Sequence, residues 1–168
     1  RVLDMLEIRL IPSRGYRRNI GAGRLLDHTQ LVFNLKKMLK QVEMFPDVAF
    51  IGYPPIETAA VLARWLKRRG IPSLLDVKDQ WPSLFLDALP LPLRPLGRGV
   101  LLPYFHLAQR AIQDSTGLSA MANDFLDWAL GVAGRGRTEM DGVFPLTSPS
   151  GQVSSSQLEE ARQWWDEQ

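Results

Sequence analysis

The stretch DVKDQWP, residues 76 to 82, closes an apolar run with two carboxylates around a lysine and then a Trp-Pro pair. A carboxylate at the end of a buried strand can accept a proton from a substrate hydroxyl, which makes Asp79 a candidate for that work, with Asp76, Lys78 and Trp81 beside it. The same residues also read as a charged turn in which Asp79 only caps the segment after Trp81-Pro82. Two other stretches pose the same choice. Tyr53-Pro54-Pro55-Ile56-Glu57 either shapes a ligand rim or merely punctuates, with Glu57 complementing a helix N-terminus. Asn123, in Ala120 to Asp124, is either a ligand contact or a helix cap.

Basic residues gather in two places. Arg14, Arg17 and Arg18 surround Tyr16 in one loop, and LPLPLRPLGRGVLLPYFHLAQR, residues 89 to 110, mixes Leu, Tyr and Phe with Arg94, Arg98 and Arg110. Such a mixture suits an anionic membrane interface, where apolar side chains insert and arginines meet phosphates. It equally suits a proline-rich loop folded back on the core. Other chemistries find no footing. His28 and His106 stand far apart with no ligand partner at helical spacing, and read as surface or core. There is no cysteine, so thiol nucleophiles, disulfides and zinc-cysteine sites are excluded. GAGR at 21 to 24 and GRGR at 134 to 137 lack the spacing of a phosphate loop, and no serine sits in a nucleophile elbow.

The elements that must position these residues follow from periodicity. Val2 to Leu10 alternates as a strand would, ended by Pro12 and Gly15. From about Ala22 to Glu43, Leu25, Leu26, Phe33, Leu35, Met38 and Leu39 recur at helical spacing. DVAFIGY at 47 to 53 and SLLDV at 73 to 77 are short buried strands. Between them Ile56 to Arg69 forms a helix, with Ala59, Ala60, Ala63 and Leu66 on one face and Gly70 as its stop. Residues 87 to 103 read as a proline-rich loop, Pro103 to Gln113 as a helix, Ser115 to Met121 as a weak strand, Asp124 to Val132 as a helix, and Gly142 to Leu146 as a short strand. Alternating strands and one-faced helices define βαβ units: an α/β class with a Rossmann-like parallel sheet flanked by helices. In such sheets ligands bind beyond the carboxyl ends of the strands, where all three candidate loops lie.

The chain has 168 residues and a formal net charge of +2, enough for one core and without the polycationic field of a nucleic-acid binder. No apolar run approaches the roughly 18 residues of a membrane span. The domain is expected over residues 1–150. SPSGQVSSS then reads as a linker, and residues 151–168 as linker and bridging helix. A start at Arg1 and an end on SSSQLEEARQWWDEQ suggest part of a longer chain.

PDVAFIGYPPIETAAVLARWLKRRGIPSLLDVKDQWPSLFLDALP, residues 46 to 90, resembles the N-terminal domain of group 1 (family 4) glycosyltransferases, bacterial fucosamine-transferase-like enzymes in particular. The likeness lies in a strand ending in Tyr-Pro-Pro, a helix, Gly-Ile-Pro, and a strand running into Asp-x-x-Asp-x-Trp-Pro. It continues through DSTGLSAMANDFLDWALGVAGR, residues 114 to 135. The resemblance implies the N-terminal half of a GT-B fold lacking its first strand, with a donor domain to follow. It implies retaining transfer from a nucleotide-sugar to a lipid-linked or polysaccharide acceptor in cell-envelope polysaccharide synthesis. It also implies no cofactor beyond that co-substrate, usually no metal ion, and a peripheral place on the inner face of the plasma membrane, while the modest charge argues against a nucleic-acid partner and the lack of a membrane span or signal-peptide pattern reads as cytoplasmic. Asp79 then takes the catalytic place. Tyr53, Pro54, Pro55, Asp76, Lys78, Trp81 and Asn123 line the acceptor, and Arg14, Arg17, Arg18, Arg94 and Arg98 meet phosphate or headgroups. The chain departs from the family at Lys78, where many relatives have His or Gln, and at Ala122, where they often have Ser. Glu159 and Glu167 match a Glu-x7-Glu spacing only by coincidence. A non-catalytic scaffold domain and a different sugar-nucleotide enzyme are the competing expectations.

Overall fold

The computed structural model describes residues 8–15, 22–146 and 154–166. Helix α1 (Ala22–Lys40) leads into strand β1 (Ala49–Tyr53), helix α2 (Ile56–Lys67) and strand β2 (Ser73–Val77). A short helix α3 (Ser83–Asp87) and a 3₁₀ turn (Leu91–Leu93) precede the long helix α4 (Arg94–Asp114). Strand β3 (Gly117–Ala120), helix α5 (Asn123–Ala133), strand β4 (Gly142–Val143) and helix α6 (Ser155–Asp166) complete the order. The four strands form one sheet, parallel throughout, in the order β1-β2-β3-β4. This is the α/β architecture expected, consistent with a Rossmann-like fold.

Strand order equal to chain order has a geometric consequence. Each crossover between neighbouring parallel strands takes the same right-handed sense, so the connecting helices fall on one face of the sheet. Accordingly α2 packs against both α1 and α4, and α4 against α5. The Ala-rich stripe of α2 (Ala59, Ala60, Ala63) and Ala108 and Ala111 of α4 are buried, and their small side chains let the helices approach closely. Beneath them lie Ile51, Tyr53, Leu75, Val77, Leu118 and Ala120, all buried. The register pairs Gly52 with Asp76 and Asp76 with Ser119, and with a period of two these residues face away from the helices. That other face is open among the described residues: Phe50 is 65% exposed and Phe144 66%.

Several boundaries differ from the sequence expectation. The proline-rich stretch is not a loop, because α4 starts at Arg94 and runs through Pro103. Pro95 falls in the first turn, where an N–H would lack a partner anyway. Pro103 gives up one interior bond, and the turns after it are held by burial of Ala108, Ala111 and Ile112. Ser115 to Met121, read as weak, contains a strand whose four residues Gly117–Ala120 are all buried. At the edge, β4 ends at Val143. Phe144 N still donates to the Ala120 carbonyl at 2.8 Å, and Pro145 then has no N–H to offer. The helix cap before α5 is Ala122 without a side-chain bond, and Asn123 is the first helical residue. Ile8–Leu10 are not in a strand, and the remainder of the Val2 to Leu10 expectation lies outside the described residues.

Candidate functional site

Strands β1 and β2 end level, since Lys78 N donates to the Tyr53 carbonyl at 3.1 Å. The loops that follow therefore leave the sheet side by side. Tyr53 ties them together: its side chain is wholly buried and its hydroxyl donates to the Trp81 carbonyl. Burial pushes that hydroxyl's pKa well above the usual tyrosine range, and the charges of Asp79 and Glu57 add to the effect. It is thus a fixed donor. Gln80 Nε2 reaches the Asp124 carbonyl at 3.3 Å and Trp128 Nε1 donates to Ser83 Oγ at 2.8 Å, which binds the opening of α5 to the same rim.

Above this rim, on the helix side, lies a cavity of about 500 Å³. Pro54, Pro55 and Ile56 form one wall, Trp81, Pro82 and Phe85 another, and Leu89, Leu93, Leu96, Val100 and Leu101 a third. Arg24 and His28 of α1, Glu57 of α2 and Tyr104 of α4 also line it. His28 Nδ1 lies 3.2 Å from both Glu57 carboxylate oxygens, and the side chains are only 12% and 15% exposed. The Tyr104 hydroxyl also bonds Glu57. Its pKa is raised by burial first and by Glu57 second, with Arg24 opposing. The Arg24 guanidinium lies over the Trp81 ring, 4.6 Å from its centroid, a cation–π contact. Trp81 in turn meets Phe85 edge-on at 4.1 Å. The arrangement offers an apolar chamber with a carboxylate, an imidazole and a guanidinium gathered in its wall.

The residues expected at the site are divided by the strand's own alternation. Pro54, Pro55 and Trp81 line the chamber, while Tyr53 lies beneath it as a buckle. Asp76 and Lys78 face the open side of the sheet: Lys78 Nζ is 3.1 Å from Asp76 Oδ2, and Ser119 Oγ donates to Asp76 Oδ1 at 2.8 Å. They belong to a different hollow, of about 640 Å³, with Phe50, Leu74, Met121, Phe144 and Leu146. Asp79 is half-buried in the bend between β2 and α3 and is in the lining of neither hollow. Asn123 is exposed at the opening of α5.

Of the basic residues, Arg94 donates through Nε to the Leu89 carbonyl at 3.2 Å and through Nη2 to the Asp87 carbonyl at 3.1 Å. It thereby satisfies carbonyls at and beyond the end of α3, a frequent task for a cation there. Arg98 and Arg14 are exposed. The loop bearing Arg14 is pinned to α1 by Gly15 N donating to Asp27 Oδ1 at 2.7 Å. Arg17 and Arg18 lie outside the described residues.

His28 is where sequence reasoning fell short. It sits 29 positions from Glu57 on a different helix, so no local spacing joins the two. The available signal was Glu57 itself, an acid in the first turn of α2, two positions after Pro55. Among the described residues, no group of three or more His, Asp or Glu side chains is suited to a metal ion, and no helix is long and apolar enough to cross a membrane. Comparison with protein-family models, with curated proteins and with solved structures finds no match to this chain.

Proposed function

We propose that this chain is the acceptor-binding half of a retaining glycosyltransferase, moving a sugar from a nucleotide-sugar, held mainly by a donor domain outside residues 1–168, onto a lipid-linked or polysaccharide acceptor at the cytoplasmic membrane face. The observation that carries the reading is the convergence of Pro54, Pro55, Trp81 and the His28–Glu57 pair around one chamber at the carboxyl ends of β1 and β2, the place where open parallel sheets receive ligands. The resemblance of residues 46 to 90 to family 4 enzymes names the reaction. In this reading the acceptor hydroxyl approaches Asp79 at the bend after β2. The Asp79 carboxylate accepts or orients its proton as the sugar is transferred, and the Pro54-Pro55 loop and Trp81 position the acceptor. Asp76 and Lys78 act from behind, by fixing the strand end on which Asp79 is mounted.

Transfer of labelled sugar to a lipid-linked acceptor, assayed on this chain joined to its donor domain, tests the reading. Asp79→Asn is expected to lower turnover by about 10²–10⁴-fold, the usual contribution of a positioned acid–base group, with the acceptor KM little changed. Full turnover in a folded Asp79→Asn enzyme would contradict it.

A further inference from the structure

The helices cover one face of the sheet and leave the other open among the described residues. All-parallel sheets are ordinarily covered on both faces, so the open face calls for an occupant. Its large apolar side chains stand well out of the sheet: Phe50 is 65% exposed, Phe144 66% and Leu146 81%. Met140, 63% exposed, lies on the same face at Gly117, where an added Cβ would come within 2.9 Å of its own. Together these four leave on the order of 600 Å² uncovered, the upper end of the largest patch on a typical monomer. The middle of the face is polar but already satisfied. Lys78 Nζ is 3.1 Å from Asp76, and Ser119 Oγ donates to it at 2.8 Å, so an occupant need bring no charge of its own.

We propose that the occupant is a second copy of this chain: two molecules pack open face to open face about a two-fold axis that runs along the strands, with β4 of each across β1 of the other. The register sets Gly52, Asp76, Ser119 and Gly142 in one row across the sheet, and the two ends of that row are opposite in shape. At the β4 end it is raised, because the Phe144 ring lies back over Gly142, 2.8 Å from where a Cβ would stand. At the β1 end it is hollow, because nothing lies within 4 Å of the Cβ position of Gly52. The two-fold axis exchanges the ends. Each Phe144 ring then enters the gap at Gly52 of the other copy, the reciprocal contact that defines an isologous interface. This match of bulk to gap is what selects a second copy over another apolar surface. The area also suffices, since about 600 Å² per copy removes about 1,200 Å² in all, where specific interfaces begin. With the axis along the strands, both rims point the same way. Both chambers lie on the outer, helix-bearing sides and stay open.

Sedimentation equilibrium of the full chain, read as mass against concentration, tests the inference. A dimer and nothing larger is expected, with a dissociation constant on the order of micromolar. Phe144→Asp and Phe50→Asp change exposed side chains, and each should weaken the dimer by about 30-fold or more, the scale of an interface hot spot, while leaving the unfolding of the monomer unchanged. Gly52→Val separates fit from mere stickiness. It adds apolar surface at an open strand position that suits a β-branched residue, so the monomer keeps its fold. Yet it fills the gap and should weaken the dimer about tenfold, as overpacking does. Stronger association in Gly52→Val, a dimer that both aspartates leave intact, mass rising beyond two copies, or a parent chain that stays monomeric would each overturn the inference. A monomer that Phe50→Asp destabilises would overturn it in favour of a segment of the chain itself lying on the face. Mass is read without ligand or turnover, so the result is independent of the Asp79 assay.

Discussion

The two ends of the sheet treat buried charge in opposite ways. At the β4 end, Asp141 is fully enclosed and every direction around it holds a donor. Arg135 reaches it with two nitrogens at 2.7 and 2.8 Å, Thr138 with its N–H at 2.7 Å and its hydroxyl at 2.9 Å, and Leu118 with its N–H at 2.9 Å. At the β1 end, the carboxylate of Glu57 faces a chamber wide enough for a ligand. A saturated charge holds chain segments together, whereas a charge on a cavity wall can also serve something that enters. This difference separates a structural clamp from a candidate site, although both contain an acid and a basic partner.

The clamp also explains how so short a strand as β4 stays in register. Gly134 takes a left-handed conformation, with φ of 65°, to end α5, a geometry that glycine adopts without the penalty of a Cβ. The chain then turns so that Arg135 meets Asp141. Asp141 in turn fixes Leu118 of the neighbouring strand, and Ser119 pairs with Gly142.

Removing the clamp is expected to produce the largest effect. Asp141→Ala leaves Arg135 beside a buried gap and should cost about 3–5 kcal/mol of stability, as for a broken buried ion pair. Denaturant unfolding measures it, and a loss below about 1 kcal/mol would place Asp141 with ordinary surface charges and erase the contrast. The same residue sets an acid limit. Burial on its own raises the carboxyl's pKa, but the bonds from Arg135, Thr138 and Leu118 outweigh it and hold the pKa well below the ordinary 3.8. A native carboxyl that binds its proton less readily than the unfolded one contributes fully above that ordinary value. The contribution drains away as pH falls through 3.8 towards the lower native value. Unfolding midpoints followed downward from about pH 6 should therefore fall more steeply in the parent chain than in Asp141→Asn, and equal slopes would contradict the assignment.

Smaller effects are expected at the other end. Tyr53→Phe removes the donor to the Trp81 carbonyl and should cost about 1 kcal/mol, while weakening ligand binding through a looser rim. Unchanged thermal stability would show that the two loops are held otherwise. On the open face, Asp76→Ala breaks a pair in which the Lys78 side chain is 61% exposed and should change stability by less than about 1 kcal/mol. It should leave unaltered the affinity for an alkyl phosphate, the simplest mimic of a lipid-linked acceptor. A loss of affinity there would move the ligand to the wrong side of the sheet.

Much of this was legible in the chain. The short apolar runs AFIGY and SLLDV, the alanine stripe of α2 and the Gly70 stop specify two βα units. The division of DVKD was missed although period could have shown it: Asp76 and Lys78 share the parity of a strand and Asp79 does not, yet all three were expected at one rim. Helix α4 was not legible, because Pro95 and Pro103 are strong local breakers and only tertiary burial of Ala108, Ala111 and Ile112 overrides them. Nor was His28. Its partner is fixed by the packing of α1 on α2, a contact no local pattern encodes. Arg24 and Tyr104 are hidden for the same reason, each reaching the chamber from a different helix.

Amide chemical-shift mapping of the chain titrated with dodecyl phosphate tests the central claim most directly. The account predicts shifts gathered on Arg24, His28, Glu57, Trp81 and the stretch from Leu93 into the first half of α4, with Phe50, Leu74, Ser119 and Phe144 unmoved. Shifts gathered on those last four residues, with the chamber silent, would contradict it.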